Sequence, residues 1–168
     1  MGWNEFRVRR ATEADAGAIV EVLEGIVSER VYSAIERPWP VEEQRRYLVS
    51  LSPREAFHVA ETDEGTVVGY QSLDLYSPIL HSMAHVAQLG TFLRPDARRR
   101  GVGQTLFQAS VRFARVHGFS KIVIQVRASN AGAQAFYGRL GFRECGRLSR
   151  QVRVDQYEDD EIIMELFL

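Results

Sequence analysis

The 168-residue chain predicts a single mixed α/β domain, and three observations carry that expectation. Strand and helix periodicities alternate along its whole length in the order strand, two helices, three strands, helix, strand, helix, two strands. A short apolar run, KIVIQV, follows a helical stretch that itself follows a strand, so the central strand–helix–strand unit is expected to be parallel and right-handed. No internal repeat, low-complexity segment or linker divides the sequence, which is long enough to bury one real core.

Phe6-Arg7-Val8-Arg9 alternates apolar and polar residues, the period of a half-buried strand. Thr12-Glu13-Ala14-Asp15 reads as a capping box closed by Asp, and Ala16, Ile19, Val20, Leu23 and Val27 follow at helical spacing, predicting a helix over about 13–28. Arg37-Pro38-Trp39-Pro40 must break regular structure, because each proline steers the residue before it away from the helical region. A second helix over about 41–51 sets Tyr47, Leu48 and Leu51 on one side. Residues 57–61 and 66–75 read as strands joined by the turn Asp63-Glu64-Gly65. A loop over 81–84 leads to a strand over 86–93 that ends at Pro95. The next helix, about 103–117, carries Leu106, Phe107, Ser110, Val111, Phe113 and Ala114 and stops at Gly118. After the buried strand Lys121–Val126, a helix over 131–140 stops at Gly141. Strands over about 142–153 and 160–167 close the chain, joined by Asp155-Gln156-Tyr157-Glu158.

Composition narrows the function. Lys and Arg number 21 against 22 Asp and Glu, a net charge of −1 that opposes a protein whose business is coating nucleic acid. Cys145 is the single cysteine, so neither a disulfide framework nor a cysteine metal site is expected, and it reads as a small buried filler. His58, His81, His85 and His117 lack H-E-x-x-H spacing, and no metal is expected. The start MGWNEFRVRR has no apolar stretch after its charges, and Phe6 stands where a myristoylation signal needs Ser or Thr. No run approaches a membrane span, so a cytoplasmic protein is expected. Ile162-Ile163 and Leu166-Phe167-Leu168 are unusually apolar for an edge strand left in water, which leads us to expect a homodimer burying the C-terminal strands or the surface beside them.

The stretch Arg98-Arg99-Arg100-Gly101-Val102-Gly103 sits at the mouth of a predicted helix. A helix N-terminus presents backbone N–H groups and a partial positive charge, the glycines permit close approach and positive φ, and the arginines add charge, so the loop suits a pyrophosphate. A dinucleotide fingerprint would need a third glycine where Leu106 stands, and a P-loop would need Gly-Lys-Ser/Thr. Downstream lie Asn130, Tyr137 and Gly141-Phe142.

Together QLGTFLRPDARRRGVGQTLF and ASNAGAQAFYGRLGF resemble the cofactor half of the GNAT superfamily, the acyl-CoA-dependent N-acyltransferases, over about residues 85–145. The resemblance implies the GNAT fold: a central, mixed, mostly antiparallel sheet of six to seven strands flanked by about four helices. It implies acetyl-CoA as co-substrate, with the backbone of Thr91, Phe92 and Leu93 pairing with the pantetheine arm. Around the pyrophosphate it places Arg98, Arg99, Arg100, Gly101, Val102, Gly103 and Gln104, chiefly through their backbone. Asn130 is implied to hydrogen-bond the arm, Phe136 to pack beside it, and Gly90 to mark a bulge that splays its strand from KIVIQV.

Aminolysis of a thioester needs a neutral amine, an oxyanion site and a proton for the departing thiolate. The resemblance assigns the proton to Tyr137, and backbone N–H groups near Phe92 are expected to hold the oxyanion. Many members carry a glutamate base where this chain has Gln88, which could orient a water; Glu36, Asp74 and His85 are the alternatives, although His85 reads first as a structural strand residue. The acids Glu158, Asp159, Asp160 and Glu161 read as a solvated turn able to attract a cationic amine. The expected acceptor is a small-molecule amine or a peptide N-terminus, in a pocket shaped by residues 28–39, the second helix and the loop 76–84. A non-catalytic acyl-CoA sensor is the alternative; it would keep RRRGVG and Asn130 without needing Tyr137.

Overall fold

The computed structural model describes residues 5–168. The reading of the first four residues as part of no leader or lipidation signal lies outside them. Among the described residues the elements follow the expected order: β1 (Phe6–Arg10), α1 (Ala16–Ser28), α2 (Val41–Ser50), β2 (Ala56–Thr62), β3 (Val67–Leu75), β4 (Val86–Leu93), α3 (Val102–Val116), β5 (Lys121–Arg127), α4 (Ala131–Arg139), β6 (Arg143–Val154) and β7 (Tyr157–Phe167). The strands form a seven-stranded sheet in the order β1-β2-β3-β4-β5-β7-β6. Its pairings are antiparallel except β4 with β5, which are parallel and joined through α3.

Local chemistry explains the ends of the helices. The Asp15 carboxylate accepts the Thr12 N–H at 2.7 Å and opens a 3₁₀ turn, Glu13–Asp15, from which α1 continues. Arg9 grips the same carboxylate through both terminal nitrogens at 2.8 Å and also reaches Glu61, tying β1 and β2 to the start of α1. Gly118 adopts φ +78 and Gly141 φ +96, so both helix stops read from the sequence are left-handed turns that favour glycine.

The helices cover both faces of the sheet. Ile19, Val22 and Ile26 of α1 pack on Phe57, Val59 and Tyr70. On the opposite face Phe107 and Ala114 of α3, with Tyr137 of α4, pack on Leu73, Ala87, Ile122 and Ile124. Each large side chain buried in this way contributes about 1.5–3 kcal/mol.

Four expectations change. The C-terminal strand β7 is not an edge, because β5 and β6 flank it; Ile162 and Met164 are buried inside the sheet, and the edge argument for a homodimer no longer holds. The turn between β6 and β7 is shorter than 155–158. Asp155 takes φ +55 and Tyr157 already pairs with Val154, so the acids read as a turn lie in β7. There Glu158 pairs with Arg150 and Arg153, Asp159 with Arg127, and Asp160 with Arg147. Cys145 is exposed, since the edge strand β6 turns most of its side chains to water. Finally, β3 and β4 keep an unbroken register through Gly90, so no bulge lies there.

Candidate active site

The splay expected beside Gly90 is present, and it comes from β5. The parallel pairing stops at Gln88↔Val123, while both strands run on, β4 to Leu93 and β5 to Arg127. Past Gln88 the edge of β4 therefore faces a gap. Which amides point into it follows from the ladder. Arg94 N–H donates to Val68 of β3 and Val86 C=O accepts from Tyr76, the residue after β3, whereas His85 C=O accepts from Ser120 and from Lys121 at the start of β5. Even-numbered residues of β4 thus turn to β3, and Leu89, Thr91 and Leu93 turn their backbone into the gap. The amide of Phe92 belongs to the β3 ladder, so of Thr91-Phe92-Leu93 the two outer residues offer backbone N–H groups.

A cleft of about 790 Å³ opens on the α3–α4 side of this gap. Its wall includes Thr91, Phe92 and Leu93, then Arg98, Arg99, Gly101, Gly103 and Gln104, and finally Asn130 and Phe136. Arg100 and Val102 do not line it: Arg100 is exposed on the surface, and Val102 is fully buried against Ala97 and Leu106. No side chain caps α3, whose N-cap Gly101 takes φ +83 and is preceded by Arg99 at φ +60. The first-turn amides of α3 therefore have no side-chain acceptor within the helix end, and an anionic group fits there.

Two residues of the loop do other work. The Arg98 guanidinium holds Glu29 at the end of α1, with contacts of 2.9 and 2.5 Å, and lies 4.4 Å over the Tyr32 ring. Its side chain builds the cleft rim rather than standing ready for a phosphate. Gly103 is small for packing, because a Cβ there would lie 3.0 Å from the Phe136 ring and 3.3 Å from Leu93.

A second cavity, about 430 Å³, lies against the first and shares Tyr32, Thr91, Phe92, Asn130 and Tyr137 with it. Residues 32–35 and Trp39 of the loop before α2, Gln44 and Tyr47 of α2, and Asp74, Gln88 and Glu161 of the sheet complete much of its wall. Of the segments expected to shape an acceptor pocket, residues 32–35 with Trp39 and the second helix line this cavity, and the loop 76–84 does not. Of the candidate bases, Asp74 lines this cavity, as does Gln88, and Glu36 and His85 do not. Burial raises both Asp74 and Glu161 above the usual carboxylate range; the Tyr47 hydroxyl, donating to Asp74, opposes part of that rise.

Tyr137 stands where the two cavities meet. It is 6% exposed, and burial pushes its phenol up to about 12, so the proton stays on at neutral pH. Its hydroxyl donates to Thr91 Oγ1 at 2.7 Å, and Gln71 Nε2 donates to the same oxygen at 2.8 Å. Asn130 is the N-cap of α4: its Oδ1 accepts the Ala133 N–H at 3.0 Å, leaving the amide nitrogen for a ligand carbonyl.

Two buried polar residues beside the cavities escape sequence reasoning. Gln71 looks like any polar strand residue, yet it is fully buried with an unpartnered Oε1. Arg127 ends the apolar strand read over 121–126; it binds Asp159 and donates to the carbonyls of Arg30 and Ser33, strapping the loop after α1 over the second cavity. A buried arginine with a partner two strands further along the sequence leaves no local signal.

The chain matches the model of the acetyltransferase (GNAT) family over residues 26–142. It is 30% identical over 155 residues to an N-alpha-acetyltransferase of Sulfurisphaera tokodaii, covering 83% of this chain and 81% of that one. It is also 30% identical to an L-methionine sulfoximine/L-methionine sulfone acetyltransferase of Pseudomonas paraeruginosa, over 54% of this chain and 52% of that relative, about half its length. The solved structure of a ribosomal-protein-alanine N-acetyltransferase from Brucella melitensis superposes with a TM-score of 0.88 at 27% identity, covering 96% of this chain and 99% of that one. With the splayed strands, the uncapped anion loop and the paired cavities in place, the chain belongs to the acetyltransferase (GNAT) family and is an acetyl-CoA-dependent N-acetyltransferase.

Proposed function

We propose that the protein acetylates the primary amine of a small molecule or of a peptide N-terminus by direct transfer, with donor and acceptor meeting between β4 and β5. The observation that carries this reading is the junction: two cavities, one suited to an anionic, extended donor and one to a compact acceptor, share Thr91, Asn130 and Tyr137. The names of similar proteins support both acceptor kinds, one a ribosomal-protein-alanine N-acetyltransferase and one an acetyltransferase of L-methionine sulfoximine and L-methionine sulfone. A cavity of about 430 Å³ takes either an amino-acid-sized molecule or the first residue of a peptide.

The chain's own groups divide the chemistry. Amides of residues 99–104 take the pyrophosphate, and the backbone of Thr91 and Leu93 with the Asn130 amide aligns the pantetheine arm. The inward N–H groups of β4 steady the oxyanion as the amine nitrogen attacks. Tyr137 then gives its proton to the departing sulfur and recovers one from the new amide nitrogen. A sensor that only bound acyl-CoA would need neither the second cavity nor a buried phenol at the junction. A cytoplasmic location belongs to the same proposal and rests on the sequence pattern, together with the absence, among the described residues, of a helix long and apolar enough to cross a membrane. A homodimer has lost its edge argument and is tested by light scattering.

The deciding experiment is a screen of acetyl-CoA against amino acids, diamines and short peptides with free N-termini, read as CoA release and acetyl-product mass. Acetylation of members of one class identifies the acceptor. CoA binding without acetyl transfer to any amine would return the protein to the sensor reading.

A further inference from the structure

We infer that Asp74, steadied by Tyr47, is the group that holds the acceptor's ammonium in the second cavity and takes its proton before attack. This rests on the acetyltransfer reading above and extends it to the residue that sequence motifs leave open.

Among the described residues lining the cavity there is no histidine and no lysine. Phenols titrate near about 10, and burial pushes Tyr47, Tyr70 and Tyr137 higher still, so none is a base at neutral pH. Arg127 is a cation held by Asp159. Gln88, at the last paired rung of β4, has no basic atom. Two carboxylates remain, Asp74 and Glu161.

Position chooses between them. The arm of the donor enters from the pyrophosphate loop beyond the end of β4, so its acetyl end lies deepest, towards the point where β4 and β5 part. Asp74 pairs with Gln88, the residue at that point, and side chains directly opposite on two strands share a face. Glu161 pairs with Arg127, at the open end of the gap. The walls around Asp74 suit a cation: Phe57 and Tyr70 stack at 5.0 Å, and Trp39 and Tyr47 complete an aromatic surround. Tyr47 donates to Asp74 Oδ1, and the Ser72 hydroxyl beside it also hydrogen-bonds the carboxylate, so two hydroxyls fix Asp74 in the cavity wall.

The proton balance is simple. Asp74 takes one proton from the ammonium, and the neutral nitrogen forms the C–N bond as the C–S bond breaks. Tyr137 protonates the thiolate and is reprotonated from the amide nitrogen. Asp74 returns its proton to water, so one proton is released per turnover.

The test uses the full chain and the best amine from the screen. Asp74→Asn should keep acetyl-CoA affinity and lower kcat/KM at pH 7 by about 10²–10⁴. Its remaining rate should climb about tenfold per pH unit as the free amine deprotonates, whereas the parent should rise through a carboxylate limb and level off. Gln88→Glu added to Asp74→Asn puts a carboxylate on the neighbouring strand and should restore at least tenfold. Tyr47→Phe removes a donor to the carboxylate and should move the acidic limb to higher pH; this measurement stands even if Asp74→Asn folds poorly. The groups facing Asp74 are Tyr47 of α2, Glu55 before β2, Tyr32 after α1, Tyr70 of its own strand, and Arg127, Glu161 and Tyr137 across the cavity. An Asp74→Asn enzyme within threefold of the parent with the same limb, or a loss that follows Glu161→Gln instead, overturns the assignment. A parent that binds acetyl-CoA and acetylates no amine overturns the acetyltransfer reading along with it.

Discussion

Replacing Tyr137 by Phe removes one oxygen from the junction of the two cavities, and the structure separates its chemical effect from its structural one. The lost hydroxyl makes one hydrogen bond, to Thr91 Oγ1, which keeps the Gln71 amide as a partner. A single such bond has a net worth of about 0.5–1.5 kcal/mol. In a domain of this length each kcal/mol moves Tm by about 2–4 °C, so a fall of about 1–6 °C is expected. The ring itself, packed against Phe142 and Phe136, stays in place. Loss of the proton donor to the thiolate should lower kcat by about 10²–10⁴, equivalent to about 2.7–5.4 kcal/mol of barrier. Steady-state rates, direct CoA binding and thermal unfolding of parent and variant measure the three quantities. Since burial holds the phenol near about 12, the parent should show no loss of kcat from this group as pH rises through the neutral and mildly basic range. A variant with kcat within twofold of the parent, with chemistry shown to be rate-limiting, would make Tyr137 a packing residue.

Gly103→Val should weaken CoA binding, since its added methyls must displace Phe136 and Leu93, which already lie 3.0 and 3.3 Å from a Cβ at that position; unchanged affinity in a folded variant would refute the cleft assignment. Thr91→Val keeps the shape but strands the Tyr137 hydroxyl. It should lower kcat by up to about 10²-fold through misplacement, less than Tyr137→Phe, and equal losses would show Thr91 to be more than a positioning group. Acid unfolding should report Asp15, whose carboxyl is lowered from 3.8 to about 2, first by its hydrogen bonds with Arg9. A depressed carboxyl stabilises the fold above its unfolded pKa and loses that contribution as pH falls through the folded one. Asp15→Asn should therefore flatten the stability profile between about pH 4 and pH 2, and an unchanged slope in that window would contradict the assignment.

The sequence was most legible where one residue type answers one local need. Gly118 and Gly141 mark helix ends because their backbones are left-handed, and Thr12 and Asp15 mark a helix start because the cap is built from neighbours. The turn that opens α3 was legible for the same reason, because Gly101 is left-handed too, but the partners of its neighbours were not. Arg98 is claimed by Glu29, sixty-nine residues earlier, and Gly103 answers to Phe136 across the cleft. Such pairings are tertiary and leave no periodicity. The same limit explains β7: its apolar end reads as an exposed edge until the chain order β5-β7-β6 places it inside the sheet. The second cavity was least legible, since Tyr47, Asp74, Gln88 and Glu161 come from four elements and meet only in the fold.

The most direct test of the whole account is a structure of the protein with CoA bound. The account predicts the pyrophosphate on the amides of residues 99–104, the arm along Thr91 and Leu93 beside Asn130, and the sulfur within hydrogen-bond reach of the Tyr137 hydroxyl. A pyrophosphate held away from the start of α3, or a sulfur that ends outside the gap between β4 and β5, would contradict it.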